Sequence, residues 1–288
     1  MNSSNAFFIK SALGLVKNTK AASLFVFVDS FEYFPLPENI PRACQLILVS
    51  EKKLEIPVAL QNKIKKIIQV PSIDLGRLGL IKLTMALALS QALVKHGDKV
   101  VFLSHLRGQK YWDTLLLIQI GKESELITSK NISGISESVK PEVFEHLLSL
   151  TLELASKGRE GKAIGTIFVV GDQDRVMQLS KQMIINPFKG YDESERNILN
   201  PLLKETIREF SALDGAFIVS DEGVLITAGR FLGAAHDEEE LPRGLGSRHI
   251  AAAGITALTN AIAIVISEST GDVRIFKNGK ILMEIEKP

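Results

Sequence analysis

Hydrophobic positions in the first 120 residues fall into short unbroken runs between turn residues. The runs are SLFVFVDS (23–30), CQLILVS (44–50), IKKIIQVPS (64–72), KVVFLSH (99–105) and TLLLIQIG (114–121). They lack the strict alternation of a half-buried strand and fit strands covered on both faces of a sheet. Between the third and fourth run, Arg77 to Lys95 reads as a helix closed by His96-Gly97. The first twenty residues lack a basic leader and carry Lys10 inside their apolar part, so they read as an amphipathic helix rather than a signal peptide. This pattern predicts an α/β unit over residues 1–125 with a mostly parallel sheet.

The pattern then changes. GKESELITSKNISGISESVK (121–140) is polar and reads as a linker. Pro141 opens a helix that runs to Gly158, proline being accepted in the first turn and glycine at the end. AIGTIFVVGD reads as a strand, followed by a helix near 173–183, the loop MIINPFKGYD and a helix near 193–211. DGAFIVSDEGVLITAG is a strand pair around Glu222-Gly223, and VRIFKNGKILMEI is a hairpin with Asn278-Gly279 at its turn. Residues 138–288 are thus expected to form an α+β domain on a mixed sheet, with no internal repeat and no low-complexity tract.

Composition narrows the classes. At 45% hydrophobic and 23% charged residues the chain can bury a sizeable core, which excludes wholesale disorder. A net charge of +1 argues against a general polyanion-binding surface, so any phosphate site must be local. The single cysteine, Cys44, permits no intrachain disulfide and no multi-cysteine zinc site, and its apolar run marks it as a core residue. Lys82 and Gln91 break one long apolar stretch and Asn260 another, so no membrane span is expected and the chain reads as cytoplasmic.

Chemistry concentrates near GLGSRHIAAAG. Glycines there lead into a helix whose start carries Arg248 and His249, where a cation costs roughly 0.3–1 kcal/mol against the macrodipole. A dinucleotide fingerprint fails because His249 stands at its third glycine and no strand precedes it, and no glycine-lysine-Ser/Thr follows for a P-loop. What remains is an oxyanion site built from Gly246, Ser247 as helix cap, and Arg248. The plainer alternative pairs Arg248 with Glu238, Glu239 or Glu240 and buries His249. Asp214, read as ending a helix, is disfavoured by the dipole and more comfortable against a metal ion, although a turn aspartate bonding its own backbone would look the same. Gly215 and Ala216 leave room beside it, and Ser267-Glu268 lie where a β-branched run leaves the sheet. Asp29, Ser104 and His105 sit at comparable strand ends and read as solvated loop groups.

Together, DGAFIVSDEGVLITAGRFL, GLGSRHIAAAGITALTNAIAIVISESTGD and REGKAIGTIFVVGD resemble the diadenylate cyclase (DAC) domain family over about residues 138–288. The first half is similar to the N-terminal domain of archaeal-type two-domain cyclases, itself similar to the C-terminal domain of pyruvate kinase. The resemblance implies an enzyme that condenses two ATP molecules into cyclic di-AMP with Mg²⁺ or Mn²⁺. On it, Asp214 and Glu268 are the metal-ligand candidates, and Asp214, Arg248 and His249 the catalytic ones. Gly215, Ala216, Leu232 (against adenine), Gly246, Ser247, Arg248, His249, Ser267 and Glu268 would bind ATP. No DNA-binding segment of the kind some family members carry is evident.

Three positions depart from the family pattern. Ser247 replaces a threonine, Ile250 a second arginine and Ser269 a second glutamate. The last two keep open a degenerate cyclase that senses ATP or cyclic di-AMP without turnover, and a third reading makes the protein an interaction scaffold. The product has twofold symmetry while the chain carries each motif once, so a cyclase reading requires at least a face-to-face pair of protomers.

Overall fold

The apolar runs of the first half form strands because each is bounded by residues that cannot continue one. In a computed structural model that describes residues 3–32, 39–56, 58–122, 135–234 and 244–287, the chain divides into two compact units, Met1–Glu125 and Leu126–Lys287.

In the first unit, α1 (Ser3–Thr19) precedes β1 (Ser23–Phe27) and β2 (Gln45–Ser50); the short α2 (Val58–Gln61), β3 (Ile64–Gln69), α3 (Gly76–Ser90), β4 (Lys99–Ser104) and β5 (Thr114–Gln119) follow. The sheet order is β3-β2-β1-β4-β5, parallel except for the β4–β5 pair, which matches the expected mostly parallel sheet. Ala12 and Val16 of α1 pack with Leu24, Val26, Val101 and Leu103, and Phe25 stacks on Phe102 at 4.6 Å. Trp112 is wholly buried; its Nε1 donates to the Phe27 carbonyl and its backbone N–H to Asn5 Oδ1, each at 2.9 Å. Cys44 is buried, and burial pushes its thiol up to about 11, so it is a core residue rather than a nucleophile.

The helix expected over 77–95 stops at Ser90. Ala92 takes a left-handed φ of +52°, and Leu93 N–H returns to the Ala88 carbonyl, closing the helix before the His96-Gly97 signal is reached. His105 and Ser104 are buried rather than solvated, with His105 Nε2 3.8 Å from Asp29 Oδ2. Strand-end polar groups look alike in sequence whether the next loop folds over them or not.

The second unit runs α4 (Ile135–Ser138), α5 (Pro141–Lys157), β6 (Thr166–Val170), α6 (Gln173–Gln178), β7 (Ser180–Gln182), α7 (Leu203–Phe210), β8 (Ala216–Val219), β9 (Leu225–Leu232), α8 (Ser247–Leu258), β10 (Ile262–Ile266), β11 (Val273–Lys277) and β12 (Lys280–Ile285). Its sheet order is β12-β11-β10-β6-β8-β9-β7, with β6–β8 parallel and the other neighbours antiparallel, a mixed sheet as expected. Ala252, Ala253 and Ile255 of α8 pack on Ile167, Val169, Ala263 and Val265. Alternation turns Ile262, Ile264 and Ile266 to the opposite face, against which α5 packs. Asn278 and Gly279, both at positive φ, make the β11–β12 turn.

Two helices of this second unit are also shorter than their patterns suggest. The 173–183 segment leaves the helix at Leu179 because Ser180–Gln182 pairs with β9, and Arg230 of β9 donates to the Met177 and Ser180 carbonyls at 2.9 and 2.7 Å. In the 193–211 segment, Asn197 and Asn200 side chains accept from the N–H groups of Leu199 and Leu202, an Asx geometry that competes with helix until Pro201 has passed. No helix among the described residues is long and apolar enough to cross a membrane.

Candidate active site

Sheet register brings three motifs to one edge. Antiparallel pairing sets Ile266 opposite Thr166, and parallel pairing sets Ile167 beside Ala216. Glu268 beyond β10, Gly165 before β6 and Asp214 before β8 therefore emerge as neighbours. Gly165 leaves the middle of this row open: a Cβ there would come within 2.8 Å of both Arg248 Nη1 and Glu268 Cβ. The Arg248 side chain, from the first turn of α8, lies across the opening. It donates through Nη1 to Glu268 Oε2 at 2.9 Å, and its Nη2 lies 3.4 Å from Asp214 Oδ1.

The side chains of Glu268 and Asp214 are 61% and 85% exposed, that of Arg248 32%. Ion pairs this wet contribute about 0–1 kcal/mol each, so Arg248 can exchange partners at little cost. Glu238, Glu239 and Glu240, the partners of the plainer reading, lie outside the described residues; Arg248 is already paired without them.

Several expected roles change on the structure. Asp214 does not end a helix, because α7 finishes at Phe210 and a turn intervenes. Gly215 has φ +103°, and a Cβ there would lie 2.7 Å from the backbone of Gly229 and Arg230; the space beside it is filled by β9, and Ala216 is fully buried. Ser247 is the first helical residue rather than the cap. Gly246 is the cap, its carbonyl accepting from the N–H of His249 at 2.9 Å. Leu232 is buried against the α8 core, while Phe231 beside it is exposed.

His249 differs most from a helix-start cation. It is 5% exposed, and its Nε2 is 3.0 Å from Nη1 of Arg274 on β11. Burial first, then the guanidinium groups of Arg274 and Arg248, push its pKa down to about 4 against the opposing pull of Asp272 and the Gly246 carbonyl. The ring is neutral near pH 7, so the cation at the start of α8 is Arg248 alone. Ser267, buried at the end of β10, faces Ser269 at 3.2 Å between the hydroxyl oxygens, and its backbone closes the turn to Asp272 and Gly271.

A cavity of about 470 Å³ opens here, lined by Gly246, Ser247, Arg248, His249, Glu268 and Arg274 among others. A second, of about 200 Å³, lies against the same Arg248–Glu268 pair on the side of Gly165, Arg159 and Lys162. The larger one has the size of a small-molecule site. Among the described residues no group of three or more His, Cys, Asp or Glu side chains converges as a self-sufficient metal cage. Asp214 and Glu268, two exposed carboxylates sharing one guanidinium, are oxygen donors of the kind a hard divalent ion takes. Gly165 and Arg274 had no sequence-level role; the signal for Arg274 was a cation set between Val273 and Ile275 in an apolar strand.

A family profile described as "DisA bacterial checkpoint controller nucleotide-binding" matches residues 153–281, which fall within the second unit. The diadenylate cyclase of Methanocaldococcus jannaschii is 33% identical over 97% of this chain and 96% of its own length. That of Haloferax volcanii is 35% identical over 69% of this chain and 72% of its own. The solved structure of DacA from Staphylococcus aureus aligns over 51% of this chain and 88% of its own, with 21% identity and a TM-score of 0.34. The chain belongs to the diadenylate cyclase family and is a nucleotidyltransferase.

Proposed function

We propose that the protein condenses two ATP molecules into cyclic di-AMP and releases pyrophosphate, with the second unit, taken as residues 138–288, as the cyclase domain and residues 1–125 as a pyruvate-kinase-C-terminal-like domain. The observation that carries this reading is the convergence of Asp214, Arg248 and Glu268 around Gly165, beside a cavity fed by the start of α8. In each transfer the ribose 3′-oxygen of one ATP forms a bond to the α-phosphorus of the other, and the bond to pyrophosphate breaks in line.

The N–H groups of Ser247 and Arg248, the first two of α8, face the triphosphate together with the Arg248 side chain, which leaves its carboxylates for the phosphates. His249, neutral and buried, backs the Gly246 loop behind the phosphates, and Ser267 is a hydroxyl contact. Asp214 and Glu268 would hold Mg²⁺ or Mn²⁺, which when bound lowers the 3′-hydroxyl pKa and offsets charge on the phosphates. The buried Leu232 side chain leaves adenine contact to the backbone of β9 and the exposed Phe231 ring. Two protomers must face each other, since one chain supplies one site.

Incubation of the native chain and Asp214→Asn with ATP and Mn²⁺, followed by product separation, tests the reading. The native chain is expected to yield cyclic di-AMP and the variant at least about a hundredfold less. Nucleotide binding with no pyrophosphate from the native chain would instead establish the sensor reading.

A further inference from the structure

The 470 Å³ cavity is lined by two cations among the described residues, Arg248 and Arg274. Arg248 rests on exposed carboxylates and is free to move. Arg274 is fixed: its side chain is 13% exposed, and Nη2 bonds Glu284 of β12 and lies 3.5 Å from Asp272 Oδ2. Those carboxylates hold Nη2 and aim the remaining edge of the guanidinium at His249. Ile250, the next residue of α8, packs against the apolar core and has no donor to give.

A guanidinium has only N–H donors, so the 3.0 Å contact of Arg274 Nη1 makes His249 Nε2 an acceptor. The proton of the neutral ring must then sit on Nδ1. That atom is buried and has no partner of hydrogen-bond geometry among the described residues, the Gly246 carbonyl being the backbone acceptor that favours a proton on this ring. Gly246 is also the cap of α8, the residue where the oxyanion loop becomes helix.

We propose that Arg274 is a positioning residue for the nucleotide site: it locks His249 in the Nδ1–H tautomer, so that the ring presents a donor, and never a lone pair, to the Gly246 loop on which the phosphate site is built. The claim on phosphates rests on the ATP reading above; the claim on the tautomer does not. The groups facing the ring are Arg274 from β11, Arg248 from its own helix and Asp272 from the β10–β11 loop, with Glu284 of β12 acting through Arg274. Removing Arg274 deletes a cation from this set and lets His249 titrate closer to its ordinary range.

The test uses the full-length chain with ¹⁵N-labelled histidine, in which five residues must be assigned. Native protein is expected to show His249 neutral and protonated on Nδ1 from neutral pH down to about pH 5. Arg274→Gln should mix the tautomers and move the protonation step upward from about pH 4, with burial still holding it below the ordinary histidine range. Arg274→Lys, which keeps a cationic donor, should restore the native spectrum and guards against misfolding in the first variant. In kinetics, Arg274→Gln should raise the KM for ATP roughly tenfold near neutral pH, the scale of one lost charge-assisted hydrogen bond, with a smaller rise at acidic pH, where a protonated ring donates from both nitrogens. His249→Asn, whose amide nitrogen overlays Nδ1, should retain more activity than His249→Gln, whose amide overlays Nε2. An Nε2–H or charged His249 in the native protein, or a spectrum unmoved by Arg274→Gln, overturns the proposal. If the native chain binds no ATP, the nucleotide reading fails while the spectrum still decides what Arg274 does.

Discussion

His249 shows how much one neighbour can change a residue's meaning. In sequence it is half of a cationic pair at a helix start; in the fold it is neutral, because burial and two guanidinium groups hold its pKa at about 4. The unfolded chain therefore binds one proton more than the native one between about pH 4 and 6.5, and stability falls as pH drops through that window, by about 3 kcal/mol at most. Urea unfolding near pH 7 and near pH 4.5 is expected to show this loss, and a smaller pH-dependent loss in His249→Gln. An equal loss in both proteins would assign the effect to carboxylates instead. Gly165 works at the same scale through what it lacks. Gly165→Ala places a methyl where Arg248 and Glu268 now meet, and is expected to lower kcat/KM for ATP about tenfold or more while the melting midpoint moves by only about a few degrees. A normal rate in this variant would show that Arg248 need not cross that gap.

At the scale of elements, what could be read from sequence depended on how local the cause was. Continuous apolar runs gave β1 to β5 to within a few residues, and the Asn278-Gly279 hairpin was legible because one turn type demands those residues. The 173–183 helix was misread past its sixth residue because Arg230, some fifty positions away, caps it and recruits Ser180–Gln182 as a strand. The 193–211 helix was misread because two asparagines bond their own backbone, a competition invisible to hydrophobic spacing. The site divides in the same way. Asp214, Arg248 and Glu268 were legible as motifs, but their meeting at Gly165 follows from the β10-β6-β8 register, and Arg274 belongs to no local pattern.

On the whole-molecule scale, stoichiometry sets the strongest expectation. A twofold-symmetric product made by a chain with one copy of each motif needs two chains in one catalytic event. Specific activity is therefore expected to fall on dilution, and mixing inactive Asp214→Asn with native protein should depress activity beyond simple dilution. Rates strictly proportional to protein concentration, from a chain that sediments as a monomer, would contradict the paired mechanism.

The two units also differ optically. Trp112 is the one tryptophan in the chain, and it is sealed in the first unit by its bonds to Phe27 and Asn5. Indole emission is thus a built-in dye for the first unit and dark to the sheet of the second, whereas backbone dichroism sums both. Denaturation curves recorded by the two signals separate where the units unfold independently and coincide where they melt as one. Substitutions at Asp214, Gly165, His249 or Arg274 must be followed by dichroism, since the indole reports on a sheet that contains none of them.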